Sequence, residues 1–423
     1  MFNSEQLEKK WAPILEAQDA PEFADATRKS ICAVLLENQE SALREGREQS
    51  SFLSEDTSLA ADSVQNWDPV LISLVRRSMP GLIAYDVAGV QPMNGPTGLV
   101  FAMKSRYQSG ADASPAAQGV NAPEALFDTI DAGFSGNLAG TEQGSGGVST
   151  AAGEGAITQE MGFTIEKLTV EAKTRALKAE YTMELAQDLK KMHGLDAEAE
   201  LANILSTEIL AEINREVIGK INWSAEQGSN QGGIAVDGTF DLDVDADGRW
   251  AVEKFKSLLF QIEVESNQIA LGTRRGKGNF VICSSNVASA LAAAGTLDYS
   301  PALSTKLNVD ITGNTFAGTL NGRIKVYVDP FAASDYITVG YKGSNSYDAG
   351  IYYCPYVPLT MMKSVDPNSF QPKIGFKTRY GMTANPLVST GGDVGAITAG
   401  SNEYFRTFGV TNINTTPGNN TPA

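Results

Sequence analysis

The chain has 423 residues, 42% of them apolar, enough to bury the cores of two or three domains of ordinary size. Its formal net charge of −17 and pI of about 4.6 repel phosphate backbones, which argues against sequence-specific nucleic-acid binding. Three cysteines, Cys32, Cys283 and Cys354, lie far apart without CxxC spacing and read as reduced, buried hydrophobes of an intracellular protein.

The N-terminus, MFNSEQLEKKW, lacks the basic-then-apolar pattern of a secretion signal. Residues 1–55 combine charge with short apolar runs, predict two or three amphipathic helices, and end at the polar break SEDTSLAADS. They read as a separable leader. The longest apolar run, DPVLISLVRRSMPGLIAYDVAGV, is broken by Arg76, Arg77, Pro80 and Asp86, so no segment is expected to span a membrane. Residues 81–107 turn to strand and turn chemistry, punctuated by MNGPTG. Residues 108–157 are poor in large apolar groups and full of Gly, Ala and Ser, which predicts an exposed loop or small insertion.

Residues 162–182 read GFTIEKLTVEAKTRALKAEYT. Leu168, Val170, Ala172 and Ala176 fall on one face and Lys167, Glu171, Lys173 and Arg175 on the other, the period of a β-strand. No turn signal interrupts the run. At ~3.3 Å per residue it would reach about 60 Å, against ~5–6 residues for an ordinary strand. The apolar phase also slips. Phe163 and Ile165 sit on the parity opposite to Leu168 and Val170, and Leu177, Ala179 and Tyr181 return to it. A strand that outruns its own domain and changes its buried side makes sense if part of it lies on another molecule.

MELAQDLKKMHG predicts a helix stopped by Gly194, with His193 as a polar group in the last turn. Asp196 can cap the next helix, in which Leu201, Leu205, Ile209, Ile213, Val217 and Ile221 recur every four residues, joined by Ile204 and Leu210. That helix has about seven turns and must be the backbone of a domain. From residue 249, RWAVEKFKSLLFQIEVESNQIAL is helical, NFVICSS a buried strand and NVASALAAAG a short helix. FAGTLNGRIKVYVDP is a hairpin turning at Asn321-Gly322, YITVGYKG and GIYYCPYVPLT continue the sheet, and NINTTPGNNTPA is a polar tail. The class is α+β.

Groups able to do chemistry do not converge. With His193 as the single histidine, neither a Ser-His-Asp triad nor a His-rich zinc site is easily built. Asp243, Asp245, Asp247 and Gly248 match the first half of an EF-hand loop, but Lys254 stands where the bidentate glutamate belongs. GTRRGKGN lacks P-loop spacing, and the tyrosines at 341, 347, 352, 353 and 356 fit packing on a sheet better than a ligand platform. Neither an enzyme nor a cofactor is expected.

Several long stretches strongly resemble the major capsid (major head) proteins of T-even-like contractile-tailed bacteriophages. They are GLIAYDVAGVQPMNGPTGLVFAMKSRY, EMGFTIEKLTVEAKTRALKAEYTMELAQDLKKMHGLDAEAEL, EILAEINREV, GYKGSNSYDAGIYYCPYVPLT and DPNSFQPKIGFKTRYGM, which with weaker matches cover most of residues 70–385. The resemblance implies the Hong Kong 97 (HK-97) phage-capsid fold, in which an extended β-hairpin, the E-loop, reaches over the neighbouring subunit. The implied division is a scaffold-like, cleaved leader over 1–55 and the N-arm and start of the peripheral domain over 56–96. The E-loop then covers 97–182 with an insertion at 108–157. A peripheral domain with its spine helix follows over 183–244, an axial domain over 245–360, and a return to the peripheral domain with the tail over 361–423.

The implied function is a shell of hexamers, with pentamers a further option, that forms an icosahedral or prolate head around double-stranded DNA. Implied partners are further copies of the chain, vertex, portal and scaffolding proteins and a prohead protease, with assembly in the host cytoplasm and a final location in the virion. A vertex protein of the same fold and an encapsulin-like compartment are the alternatives. Lys167, Lys173 and Arg175 are expected to meet acidic groups of a neighbouring subunit. Prohead proteases of this kind cut after Glu in Leu-x-Glu or Ile-x-Glu contexts, offered here at Glu16, Glu37, Glu45 and Glu55. The Glu55–Asp56 bond lies in the polar break and is the expected cut, against a permanent N-terminal arm.

Overall fold

The computed structural model describes residues 4–16, 26–51, 81–109, 125, 159–299 except 233, 249 and 296, 315–366 except 346, 371–388 except 387, and 397–413. The Glu55–Asp56 bond, residues 414–423 of the polar tail and all but three residues of the 108–157 insertion lie outside them.

Helices α1 (Ser4–Leu15) and α2 (Ala26–Ser51) come first, then the short α3 (Ala84–Val87) and β1 (Gly89–Val90). A long pair, β2 (Thr97–Ser109) and β3 (Gln159–Glu171), forms a two-stranded antiparallel sheet by itself. β4 (Lys173–Glu180) continues β3 after a single break at Ala172. Then α4 (Met183–Met192) and α5 (Ala197–Ser224) follow, with β5 (Ala225–Gln227), β6 (Thr239–Asp241), α6 (Ala251–Thr273), β7 (Phe280–Ser284), α7 (Ser285–Ala293) and β8 (Leu297–Tyr299). The chain closes with β9 (Thr315–Leu320), β10 (Ile324–Asp329), β11 (Tyr336–Gly340), β12 (Ile351–Val365), β13 (Pro372–Ala384) and β14 (Asn402–Thr411).

Local signals place these elements where the sequence puts them. Thr182 caps α4 by accepting from Leu185 N, Gly194 stops it at φ +69°, and the Asp196 carboxylate caps α5 by accepting from Glu198 N at 3.2 Å. Asn321 and Gly322 both adopt positive φ, 50° and 67°, and Arg323 N donates back to the Leu320 carbonyl at 3.1 Å.

Two larger sheets share α5. The eight-stranded one runs β5-β14-β11-β7-β10-β9-β8, with β6 beside β14, and the four-stranded one runs β1-β12-β13-β4. Strand β7 is buried at all five positions because both faces of its sheet are covered. Phe280 and Ile282 join the core under α5, while Val281 and Cys283 join a second core under α6 and α7. On α5, Leu205, Ile209, Ile213, Val217 and Ile221 form the buried stripe, but Ile204 stays exposed. The buried Asn214 holds residues 81–83 against that helix: its Nδ2 donates to the Gly81 carbonyl and its Oδ1 accepts from Ile83 N.

In two respects the arrangement differs from the expected division. Residues 351–360, expected in the 245–360 unit, pair with β13 in the smaller sheet, whereas β14, from the C-terminal stretch, lies within the larger one. Pairing partners that distant leave no local pattern. The leader, read as separable, also enters the principal core. Trp11 is 2% exposed and packs with Cys32, Leu35 and Leu36 in the same cluster as Leu82, Tyr85 and Tyr353. Arg28 pairs with Asp86, and the Asn38 amide donates to the carbonyls of Met93 and Tyr356.

Candidate assembly surface

The β2/β3 hairpin pairs in unbroken register from Thr97 opposite Glu171 to Ser109 opposite Gln159. Its two faces have opposite characters. On the inner face, Val100, Leu168 and Val170 close a small core with Met93, Tyr352 and Cys354. Further out the same face carries charge satisfied within the hairpin, Arg106 donating to Thr164 and Glu166 at 3.1 Å each and Lys104 lying 3.4 Å from Glu166.

The outer face is an apolar ladder. Leu99, Phe101, Met103, Met161, Phe163 and Ile165 are each between 51% and 74% exposed, with Met103 directly opposite Ile165. Lys167, opposite Phe101, ends the β3 side of this ladder, while Leu99 carries the β2 side one pair further toward the body, opposite Thr169. The three phases of the long strand thus have three destinations. Phe163 and Ile165 face outward, Leu168 and Val170 enter the small core, and Leu177, Ala179 and Tyr181 pack on the principal core. Ala176, grouped with the apolar face in the sequence, is exposed. Leu99, Phe101 and Met103 escaped the sequence reading because LVFAM is apolar at both parities and shows no alternation.

The three candidate contact residues separate. Lys167 and Lys173 are exposed. Arg175 is bonded within its own chain: Nη1 donates to Glu212 at 2.6 Å, Nη2 to Glu216 at 2.5 Å and Nε to the Tyr380 hydroxyl at 3.0 Å. Burial would lower the Arg175 pKa, but the bonds to Glu212, Tyr380 and Glu216 outweigh it and hold the guanidinium above its ordinary value. Burial likewise opposes ionisation of Glu216, yet the hydrogen bonds from Lys220, Tyr380 and Arg175 bring its pKa down to about 2. The root of the hairpin is thereby tied to α5.

The groups considered for chemistry have structural partners. Asp245 accepts from the backbone of Ala235 and Asp241, Asp243 takes the Lys254 ammonium at 2.5 Å, and Asp241 accepts from Asp243 N and Asn412. Tyr353 packs on Tyr380 at 5.3 Å between ring centroids and Tyr341 stacks on Tyr404. All three cysteines are buried and free, and burial pushes the thiols of Cys283 and Cys354 up to about 12. No described helix is long and apolar enough to cross a membrane.

Comparison with known proteins agrees with an assembling chain. Residues 64–410 match the family described as major capsid protein Gp23. The major capsid protein of Salmonella phage ViI is 40% identical over 95% of this chain and 97% of its own length. Two proteins of Enterobacteria phage T4 separate the alternatives: its major capsid protein is 38% identical over 95% of this chain, its capsid vertex protein 30% over 53%. Among solved structures, the capsid of Myoviridae phage XM1 superimposes with a TM-score of 0.40 at 10% identity, covering 78% of this chain and 92% of that one. With an outsized hairpin rooted on a long helix, and with a match spanning most of its length, the chain belongs to the Gp23 major capsid protein family, which builds the head shell of tailed phages.

Proposed function

We propose that the outer face of the β2/β3 hairpin is the surface by which each copy overlaps the next, so that hexamers, and pentamers at the corners, tile a shell around double-stranded DNA. The observation that carries this is the apolar ladder from Leu99 to Phe163, standing on a hairpin whose other face is already satisfied by its own chain. Soluble chains seldom leave so continuous an apolar face to water, and full burial of each such side chain is worth about 1.5–3 kcal/mol. Helix α4 offers further exposed apolar side chains, Leu185 and Met192 on one face, suited to receive a neighbour. Lys167 and Lys173 supply the polar rim, where a single ion pair is weak at ~0–1 kcal/mol but is repeated in every subunit.

The same reading places assembly in the host cytoplasm with scaffolding, vertex and portal proteins, and removal of residues 1–55 by a prohead protease cutting Glu55–Asp56. The acidic chain, at −17, would enclose the genome without gripping it. Phe163→Asp tests the central claim. Folded subunits that form no shells by electron microscopy are expected, and normal heads from that variant would refute it. Lys167→Glu combined with Lys173→Glu should weaken assembly less, and more so at low salt.

A further inference from the structure

The long strand has one break, at Ala172, where the hairpin leaves the body. On the body side, β4 pairs with β13 from Glu180 opposite Lys373 to Lys173 opposite Tyr380. One residue beyond Tyr380 stands Gly381, and there the two strands come too close for a side chain. A Cβ at Gly381 would lie 2.5 Å from Val170 Cγ1 and 2.7 Å from the Glu171 carbonyl oxygen. The second atom is backbone, which cannot turn aside. At the same point Ala172 N donates to the Pro96 carbonyl at 2.8 Å, joining the two arms of the hairpin at their base.

The body side of this crossing is fastened. Arg175, three residues past the break, is bonded to Glu212, Glu216 and Tyr380. Among the described residues, the hairpin side rests on the small core of Val100, Leu168 and Val170 against Met93, Tyr352 and Cys354. Any push at Gly381 is therefore relieved by the hairpin and not by the body.

We infer that the close crossing at Gly381, with Arg175 as its anchor, is a positioning device that sets the angle at which the hairpin projects and through it the curvature of the shell. The lever arm makes this sensitive. At ~3.3 Å per residue, Val170 lies about 7 Å from the break at Ala172 and Gln159 about 43 Å, so a ~1 Å displacement at Val170 becomes about 6 Å at the far end. At Phe163, about 30 Å from the break, the same displacement is about 4.5 Å, close to the ~4.8 Å spacing between neighbouring strands, and would carry the apolar ladder off its seat.

This inference rests on the proposal that the hairpin face is the shell contact. The test uses the full chain in four forms: Gly381→Ala, Gly375→Ala, Arg175→Ala and Phe163→Asp. Gly375 is the matched control, since it lies in the same strand but a Cβ there meets nothing nearer than 3.8 Å. Assembly products are sized by electron microscopy and each subunit is followed by thermal unfolding. Gly375→Ala is expected to give heads of the parent diameter. Gly381→Ala should give a cooperatively unfolding subunit that forms particles of altered diameter, or open sheets. Arg175→Ala should give a broadened size distribution, which Arg175→Lys narrows.

Parent-sized, uniform heads from Gly381→Ala overturn the inference. If Gly381→Ala does not fold, Arg175→Ala decides, and uniform parent-sized heads from it overturn the inference equally. Phe163→Asp separates the two claims: shells from that variant refute the hairpin contact itself, whereas absence of shells beside normal Gly381→Ala heads removes only the positioning role.

Discussion

Trp11→Ala should detach the leader while the body stays folded. Trp11 is 2% exposed, lies in the principal core, and donates from Nε1 to Glu37 at 3.1 Å, with Lys10 above its ring and paired to Glu37 and Glu40. Truncating a buried tryptophan costs about 3–5 kcal/mol, and the lower figure suits a site at the edge of a core, where neighbours can relax. Because α1 and α2 precede the two sheets and strand-pair with neither, this loss should fall on local opening of the leader. A cost of ~3 kcal/mol raises the open population roughly a hundredfold. Hydrogen exchange read by mass spectrometry on peptides from residues 4–16 and 26–41 should accelerate by that factor, with β7 amides unchanged. Equal acceleration in β7 would mean that the leader and body unfold together. No acceleration in either leader peptide would mean that Trp11 does not hold the leader.

Further expectations concern the body and the leader's fate. Glu265 is fully buried, accepts from Ser229 N, Gln231 and Gln261, and lies 2.9 Å from Arg406 Nε, so Glu265→Ala leaves these buried donors without their acceptor, while Arg406 keeps Glu226, and should cost about 1–3 kcal/mol in denaturant unfolding. A loss well below ~1 kcal/mol would show that Ser229 N, Gln231 and Gln261 do not depend on the carboxylate. The folded-state pKa of Glu216, about 2, lies below its ordinary 4.5, so the unfolded chain binds more protons between those values. Its contribution is complete above about pH 4.5 and vanishes as pH falls through about 2. Thermal midpoints of Glu216→Gln should accordingly vary less across that window than those of the parent, and identical acid slopes would contradict this. Intact mass of protein from DNA-filled heads should give a chain beginning at Asp56; one beginning at Met1 or Phe2 would remove the proposed cut.

What could be read in the sequence was what short-range physics writes there. Gly194 and Asp196 mark their helix ends through backbone geometry and capping within a few residues, and Asn321-Gly322 marks its turn in the same way. The three phases of residues 162–182 were legible because strand side chains alternate with period two. The partners of Arg175 were not legible for the complementary reason. Its pattern places it on a polar face, but whether that face meets water, a neighbour or Glu212 and Glu216, 37 and 41 residues away, depends on how α5 packs on β4. The leader posed the same difficulty. Amphipathic helices have one composition whether they stand apart or dock, and only the burial of Trp11 and Cys32 distinguishes the two. The crossing at Gly381 could not be anticipated at all, since a glycine in a strand signals a close approach without saying to what.

Helix α5 also determines where force goes. Its 28 residues make a rod of about 42 Å. Near its start Glu198 pairs with Lys363 of β12, along its middle Glu212 and Glu216 hold Arg175, and near its end Asn222 accepts from Thr338 of β11. A pull on the hairpin therefore enters the rod through a charged joint and leaves it in the middle of the larger sheet. Copies joined hairpin to body would form a truss of stiff members, in which outward pressure is carried as tension along α5 and not as shear between strands. Such a shell should yield first at its joints, through ion pairs that can re-form, while the cores behind them stay intact.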